Sequence, residues 1–269
     1  MNIAHSTAWQ GKPQHGYVHR NQTLLSGYDK VLSNLWFTDK YMSSHVEGFI
    51  CAMQEQEIRT RQLDRQRNIG DVETNGKCRH CNITEESIFH LLSSCGKLSA
   101  SLYLPLRHNE VAKIIYNELI SNHDDTSYIN KPEPIYVTKD IEIWWDKKIR
   151  VCPPVEHCKT DIVVWNLKHK LCTIIDVCVP LDVNVEREEN TKRDRYLVLA
   201  SRLQRLYREY TFKVIPIVLG GTGFVPKSLI TNLQECGFKK EKCMAIIPNL
   251  QRKALRGSMK ILTTSLKMK

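Results

Sequence analysis

The chain has 269 residues, 42% of them apolar, and a formal net charge of +10 with a pI near 9.1. This length accommodates one large domain or two small ones, and the apolar share suffices for a packed core. No stretch approaches the ~20 apolar residues of a membrane span, and the basic excess favours a polyanionic partner whose phosphates Lys and Arg would neutralise. Ten cysteines fit poorly with a disulfide framework, because the start MNIAHSTAWQ lacks a basic-then-apolar signal pattern and several cysteines lie inside apolar runs. Reduced thiols in a nuclear or cytoplasmic setting are expected.

In chain order, residues 1–35 read as a loose, polar lead-in. From His45 to Gln66 the residues Val46, Phe49, Ile50, Met53 and Ile58 recur at helical spacing. Asn68 to Lys77 reads as a loop, and Leu98 to Ile120 as a helix with Val111, Ile114, Ile115 and Leu119 on one face. The Asp, Asn, Ser and Pro content of 122–134 marks a linker, and so divides a region 36–121 from a domain 135–269. The His123-Asp124-Asp125 run within it is rejected as a polymerase metal site, since no apolar strands flank it.

The second half reads differently. Asp161–Asn166 and Leu171–Pro180 are predicted strands joined by the polar turn Leu167–Lys170, a hairpin. A charged helix over Val185–Tyr210 follows, with Tyr196, Leu199, Leu203 and Leu206 on one face. Phe212–Leu219 is a buried strand, Gly220–Gly223 a turn without the lysine of a phosphate loop, Pro226–Gln234 a helix, and Leu250–Thr263 a last basic helix. Trp144-Trp145 is expected as a core anchor, and Glu142 just before it is a candidate additional acidic group on a first helix of the domain. The order is that of an α/β (α+β) fold with a mixed sheet flanked by helices.

Cys78-x2-Cys81-x8-His90-x4-Cys95 carries the strongest local signal. A two-residue knuckle can place two thiolates on one ion, and a helical turn can bring His90 and Cys95 to the same ion. The alternative is three buried thiols and a core histidine; clustering in so short a span favours a closed, structural zinc site. His80 lies inside the knuckle and is expected to point elsewhere. Asp161 opens one strand and Asp176 lies near the end of the next, so a hairpin can bring both carboxylates to one sheet edge, where magnesium or manganese would take oxygen ligands. Lys192 and, one turn later, Tyr196 lie on the next helix. Spacing alone makes this signal weak, since acids at strand edges and lysines on charged helices are common.

From about Trp36 onward the chain resembles the C-terminal region of non-LTR retrotransposon polyproteins of the restriction-enzyme-like endonuclease class, which includes elements that insert into ribosomal RNA genes. The stretches that carry the resemblance are residues 45–61, the cysteine–histidine unit, Arg107-His108-Asn109, the trio Asp161, Asp176 and Lys192-x-x-x-Tyr196, residues 214–218 and residues 222–229. It implies a PD-(D/E)xK-like nuclease core that nicks target DNA. Asp161 and Asp176 would hold magnesium, Lys192 would stabilise charge, and Tyr196 would support the geometry. The family's lysine sits on a helix rather than on the second strand, where this chain has Cys178. Arg107, His108 and Asn109 would contact DNA or brace the structure, and element RNA is a further partner. Thr160 stands where the family has a proline, and Lys159 where an arginine is common. The polymerase and N-terminal DNA-binding fingers of such polyproteins have no counterpart here. The rival readings are a non-catalytic nucleic-acid-binding relic or domesticated module of the same fold, and a structural zinc protein that binds other proteins.

Overall fold

The computed structural model describes residues 16–69, 75–122 and 128–268; the His123-Asp124-Asp125 run lies outside them. Its centre is a five-stranded sheet in the order β1 (Ile135–Val137), β2 (Ile141–Lys148), β3 (Lys159–Asn166), β4 (Leu171–Cys178), β5 (Thr211–Val218). The first four strands form an antiparallel meander, and β5 joins parallel to β4. The crossover between β4 and β5 contains a long helix, Val185–Leu206. A parallel neighbour requires such a connection, because a two-residue turn only reverses the chain. Pro216 is tolerated in β5 because β5 is an edge strand that owes no N–H to a further neighbour.

Both faces of the sheet are covered, and β4 is therefore buried along nearly all its length. On one face Val163, Trp165, Cys172 and Ile174 pack against Tyr196, Leu199 and Leu203 of the Val185–Leu206 helix. On the other, Ile143, Ile162, Ile175 and Val177 share a core with Ile115 and Leu119 of the helix Asn109–Ser121 and with Ile246 and Leu250 of the C-terminal helix Lys240–Lys267. The expected division at 122–134 is thus not a division of the core: a helix from before it and strands from after it bury the same apolar surface. No described helix is long and apolar enough to cross a membrane.

Several elements differ from the sequence reading. The lead-in contains a helix, Tyr17–Leu24, and a turn in which Asp29 caps Lys30–Ser33 by accepting from the Val31 and Leu32 N–H groups. The expected helix 45–66 is two, Ser44–Gln54 and Arg61–Gln66, interrupted where Gln56 takes a left-handed φ of 59° and Thr60 caps the second. The expected helix 98–120 has wide π-type turns over Ser99–His108 before it becomes α-helical at Asn109. Pro105 sits inside that stretch; it lacks an N–H and crowds the preceding turn, which fits wider winding there. Residues 141–148 form a strand rather than a helix, so Glu142 lies on β2, where it accepts from the Trp144 indole N–H. Trp144 and Trp145 are half-buried on opposite faces of that strand rather than together in one core. Leu206, assigned to the buried face of its helix, is 58% exposed.

Candidate metal centre and acidic site

The knuckle begins with a bridge between Lys77 and Glu85, which turns the chain so that Cys78 and Cys81 face back toward His90. The four ligand atoms of Cys78, Cys81, His90 and Cys95 all lie within 4.8 Å of one another. Cys78 Sγ is 3.9 Å from Cys95 Sγ, and Cys81 Sγ is 3.4 Å from His90 Nε2. A tetrahedral zinc with Zn–S bonds of ~2.3 Å requires sulfurs roughly 3.8 Å apart and slightly shorter S–N separations, so the donor set fits zinc in type and spacing. Thr84 Oγ1 lies 3.0 Å from His90 Nδ1, where a ring bound to metal through Nε2 would place its N–H.

Burial opposes ionisation of Cys81, but the Ile83 and Thr84 N–H groups outweigh it and bring the thiol down to about 6. Cys95 is pushed up by its burial. Metal binding to this pair therefore releases protons and weakens as pH falls. His80 points away, as expected, and its Nε2 meets the Ser265 carbonyl at 3.0 Å. Cys78 and Cys95 belong to a core with Trp36, Met53, Leu255 and Leu262, so the centre joins elements from both ends of the chain. Beneath it, Glu86 is fully buried and forms an ion pair with Arg79 at 2.7 Å.

The acidic site is built by the sheet. Strand periodicity puts Asp161 on the face of Val163 and Trp165, and Asp176 on the face of Cys172 and Ile174, which is the same face. The β3–β4 ladder runs from Asn166↔Leu171 to Ile162↔Ile175, which leaves Asp161 and Asp176 at its open end. There the Val177 N–H, lacking a carbonyl partner on β3, donates to Asp161 Oδ2 at 2.7 Å. Lys192 Nζ lies 2.6 Å from the buried Asp176 Oδ2, and both Lys192 and the Tyr196 hydroxyl act on that carboxylate. Tyr196 donates from its hydroxyl to the Lys159 carbonyl at 2.5 Å and tethers the helix to the start of β3.

His108 completes this site, a position sequence reasoning did not give it. Its Nε2 lies 3.1 Å from Asp161 Oδ2 and 3.0 Å from the Val177 carbonyl; both are acceptors, so Nε2 carries a proton. Burial works against the charged imidazole, but the hydrogen bond and charge of Asp161 outweigh it and raise His108 to about 9. Asp161 is held low because its contact with His108 overcomes its burial. Asp176 is held high by burial and then by the neighbouring Asp161 charge. The two carboxylates thus divide: one is stabilised as an anion and the other resists ionisation.

Arg107 takes the bracing role of the two open to it. It is 3% exposed, donates to the Leu92 carbonyl (2.8 Å) and to Ser258 Oγ (3.0 Å), and lies over the Tyr103 ring. A Cβ at Gly257 would fall 2.7 Å from the Leu106 carbonyl and from Arg107 Cβ, and one at Gly221 2.8 Å from the guanidinium, so both glycines permit this close packing. Asn109 Oδ1 is 3.0 Å from His108 Nδ1 and supports that ring. The turn after β5 is held by Asp182, a buried acid that accepts from the Thr222 N–H (3.0 Å), Thr222 Oγ1 (2.5 Å) and Gln22 Nε2 (2.5 Å). No local pattern marks Asp182, because its partners lie about 40 and 160 residues away in sequence. No protein-family model matches the chain, and no curated protein matches it.

Proposed function

We propose that the chain is a metal-dependent DNA-nicking endonuclease with a zinc-braced core, of the kind carried by non-LTR retrotransposon polyproteins. The observation that carries this reading is the meeting of Asp161, Asp176 and Lys192 at the open end of one strand pair, with the Asp161 charge and burial holding Asp176 high. A hard divalent cation takes oxygen ligands of this type, and Asp161, Asp176 and the adjacent Val177 carbonyl would hold it. Bound magnesium or manganese would supply a polarised phosphodiester and a more acidic water. Lys192 would balance negative charge developing at the phosphate, Tyr196 would hold the helix that carries it, and His108 would fix the Asp161 carboxylate. The formal charge of +10 suits a phosphate backbone.

A second reading, a non-catalytic nucleic-acid-binding module of the same fold, is favoured by the engagement of both carboxylates with cations of the protein itself, Lys192 and His108. A plasmid-nicking assay with magnesium or manganese separates them. Nicking by the wild type that is lost in both Asp176→Ala and Lys192→Gln supports the nuclease. Folded, zinc-loaded wild-type protein that binds the plasmid but never nicks it gives the binding module.

A further inference from the structure

On the face of the sheet covered by the Val185–Leu206 helix, a cleft of about 300 Å³ lies between β2 and the end of that helix. Its lining alternates cations and aromatic rings: Lys147, Lys148 and Arg150 with Trp144, Trp165 and Tyr207. None of the three cations has a carboxylate partner among the described residues. Nearby acids are committed elsewhere: Glu142 to the Trp144 indole, Asp146 to Lys159 at 2.8 Å, and Glu209 to Lys170 at 3.7 Å. Lys147 Nζ stands 5.0 Å from the centre of the Trp144 ring.

The rings form a rigid set. Trp165 sits 5.5 Å from Trp144, 5.2 Å from Tyr207, 5.1 Å from Tyr210 and 5.7 Å from Phe212, mostly edge to face. Tyr207 nonetheless stays 45% exposed, and the buried Trp165 indole N–H has no acceptor among the described residues. A core cluster would bury Tyr207 and satisfy Trp165. A surface helix end would not gather three unpaired cations around exposed ring faces.

We infer that this cleft binds single-stranded nucleic acid, with an unpaired base against the Tyr207–Trp144 rings and backbone phosphates on Lys148 and Arg150. Duplex DNA keeps its base faces stacked on one another; only a separated strand offers them to a ring. The site is distinct from the acidic one. Lys192 and Leu206 are on the same helix, roughly 21 Å apart at ~1.5 Å per residue, so one separated strand a few nucleotides long spans both. At the other side of the cleft, the Lys147↔Thr160 and Lys148↔Lys159 pairs bring its cations to the strand end where Asp161 lies.

The test is fluorescence anisotropy of labelled twelve-nucleotide oligo-dT and oligo-U with the zinc-loaded full chain in magnesium-free buffer. It reads binding alone, so its failure is separate from any failure of nicking. Tyr207→Ala should weaken binding about tenfold, the scale of one base–ring stack. Lys148→Gln with Arg150→Gln should flatten the slope of log affinity against log salt by about 1.4, or ~0.7 per phosphate contact. The same charge loss at exposed Lys239 and Lys240 is the comparison. Cleft variants that bind as well as the Lys239→Gln/Lys240→Gln protein would overturn the inference, as would unlabelled duplex competing better than unlabelled single strand. Equal affinity for the two oligonucleotides assigns the site to stacking and phosphate alone; tighter oligo-U binding assigns it to RNA through the 2′-hydroxyl.

Discussion

The Cys78–Cys95 centre and the Asp161–Asp176 site are assembled in opposite ways. All four ligands of the first come from one short segment, and local turns are enough to gather them. The polar groups of the second come from β3, β4, the crossover helix and His108 at the end of a winding helical stretch, and only the completed core gathers them. The first is gathered within one segment down to the Thr84 contact on His90, whereas the second keeps two buried carboxylates pushed in opposite directions.

Changes at the two sites should therefore differ in size. The largest effect is expected at the metal centre. Cys95→Ser should lose bound zinc and the cooperative melting transition, because structural zinc contributes on the order of 10 kcal/mol in small zinc domains, comparable to a whole domain's stability. Elemental analysis with calorimetry checks this, and a zinc-free variant melting at the wild-type temperature would contradict it. Next is Arg107→Ala, which leaves the Leu92 carbonyl and Ser258 short of a donor and opens a cavity. A loss of about 3 kcal/mol is expected in urea unfolding; a change within ~0.5 kcal/mol would remove Arg107 as the brace between the zinc segment and the C-terminal helix.

His108 gives a pH-dependent effect. Its folded pKa of about 9 lies above the ordinary value of ~6.5, so its contribution is fully present below pH ~6.5 and is lost as pH rises through about 9. In magnesium-free buffer the wild type should lose about 3 kcal/mol over that window. His108→Gln should flatten that part of the profile, and an unchanged slope would mean that His108 and Asp161 are not paired in solution. Asp176 behaves in the opposite way to a stabilising acid. Its folded pKa is raised, so its contribution is present below pH ~3.9 and is lost as pH rises through the folded value, leaving a net cost at neutral pH. Asp176→Asn removes that cost but leaves the Lys192 ammonium, 2.6 Å away, without its carboxylate, so nicking should be lost with little net change in stability. Equal destabilisation and loss of nicking would make Asp176 a structural group.

The metal ligands, the β3–β4 hairpin and the crossover helix were legible because each depends on neighbours in sequence: knuckle spacing, period-two alternation, and a 3.6-residue stripe. The meander strand β2 was misread because Trp144-Trp145 gives no alternation of burial; both rings are half-buried, one on each face. Residues 16–35 looked featureless because their order depends on distant partners: Gln22 on Asp182, and Ser33 on the main chain of Val225.

The sequence by itself determined the α/β order, the gathering of Cys78, Cys81, His90 and Cys95 into one candidate metal site, and the placing of Asp161 and Asp176 on one face of neighbouring strands, since chain geometry over a few residues fixes all three. Tertiary structure alone decided that 122–134 divides no core, that Arg107 braces the interior while His108 meets Asp161, and that Tyr207 stands exposed beside three unpaired cations. Those outcomes turn on which surfaces meet after collapse, and no spacing along the chain encodes the contact of residues 50 or more positions apart.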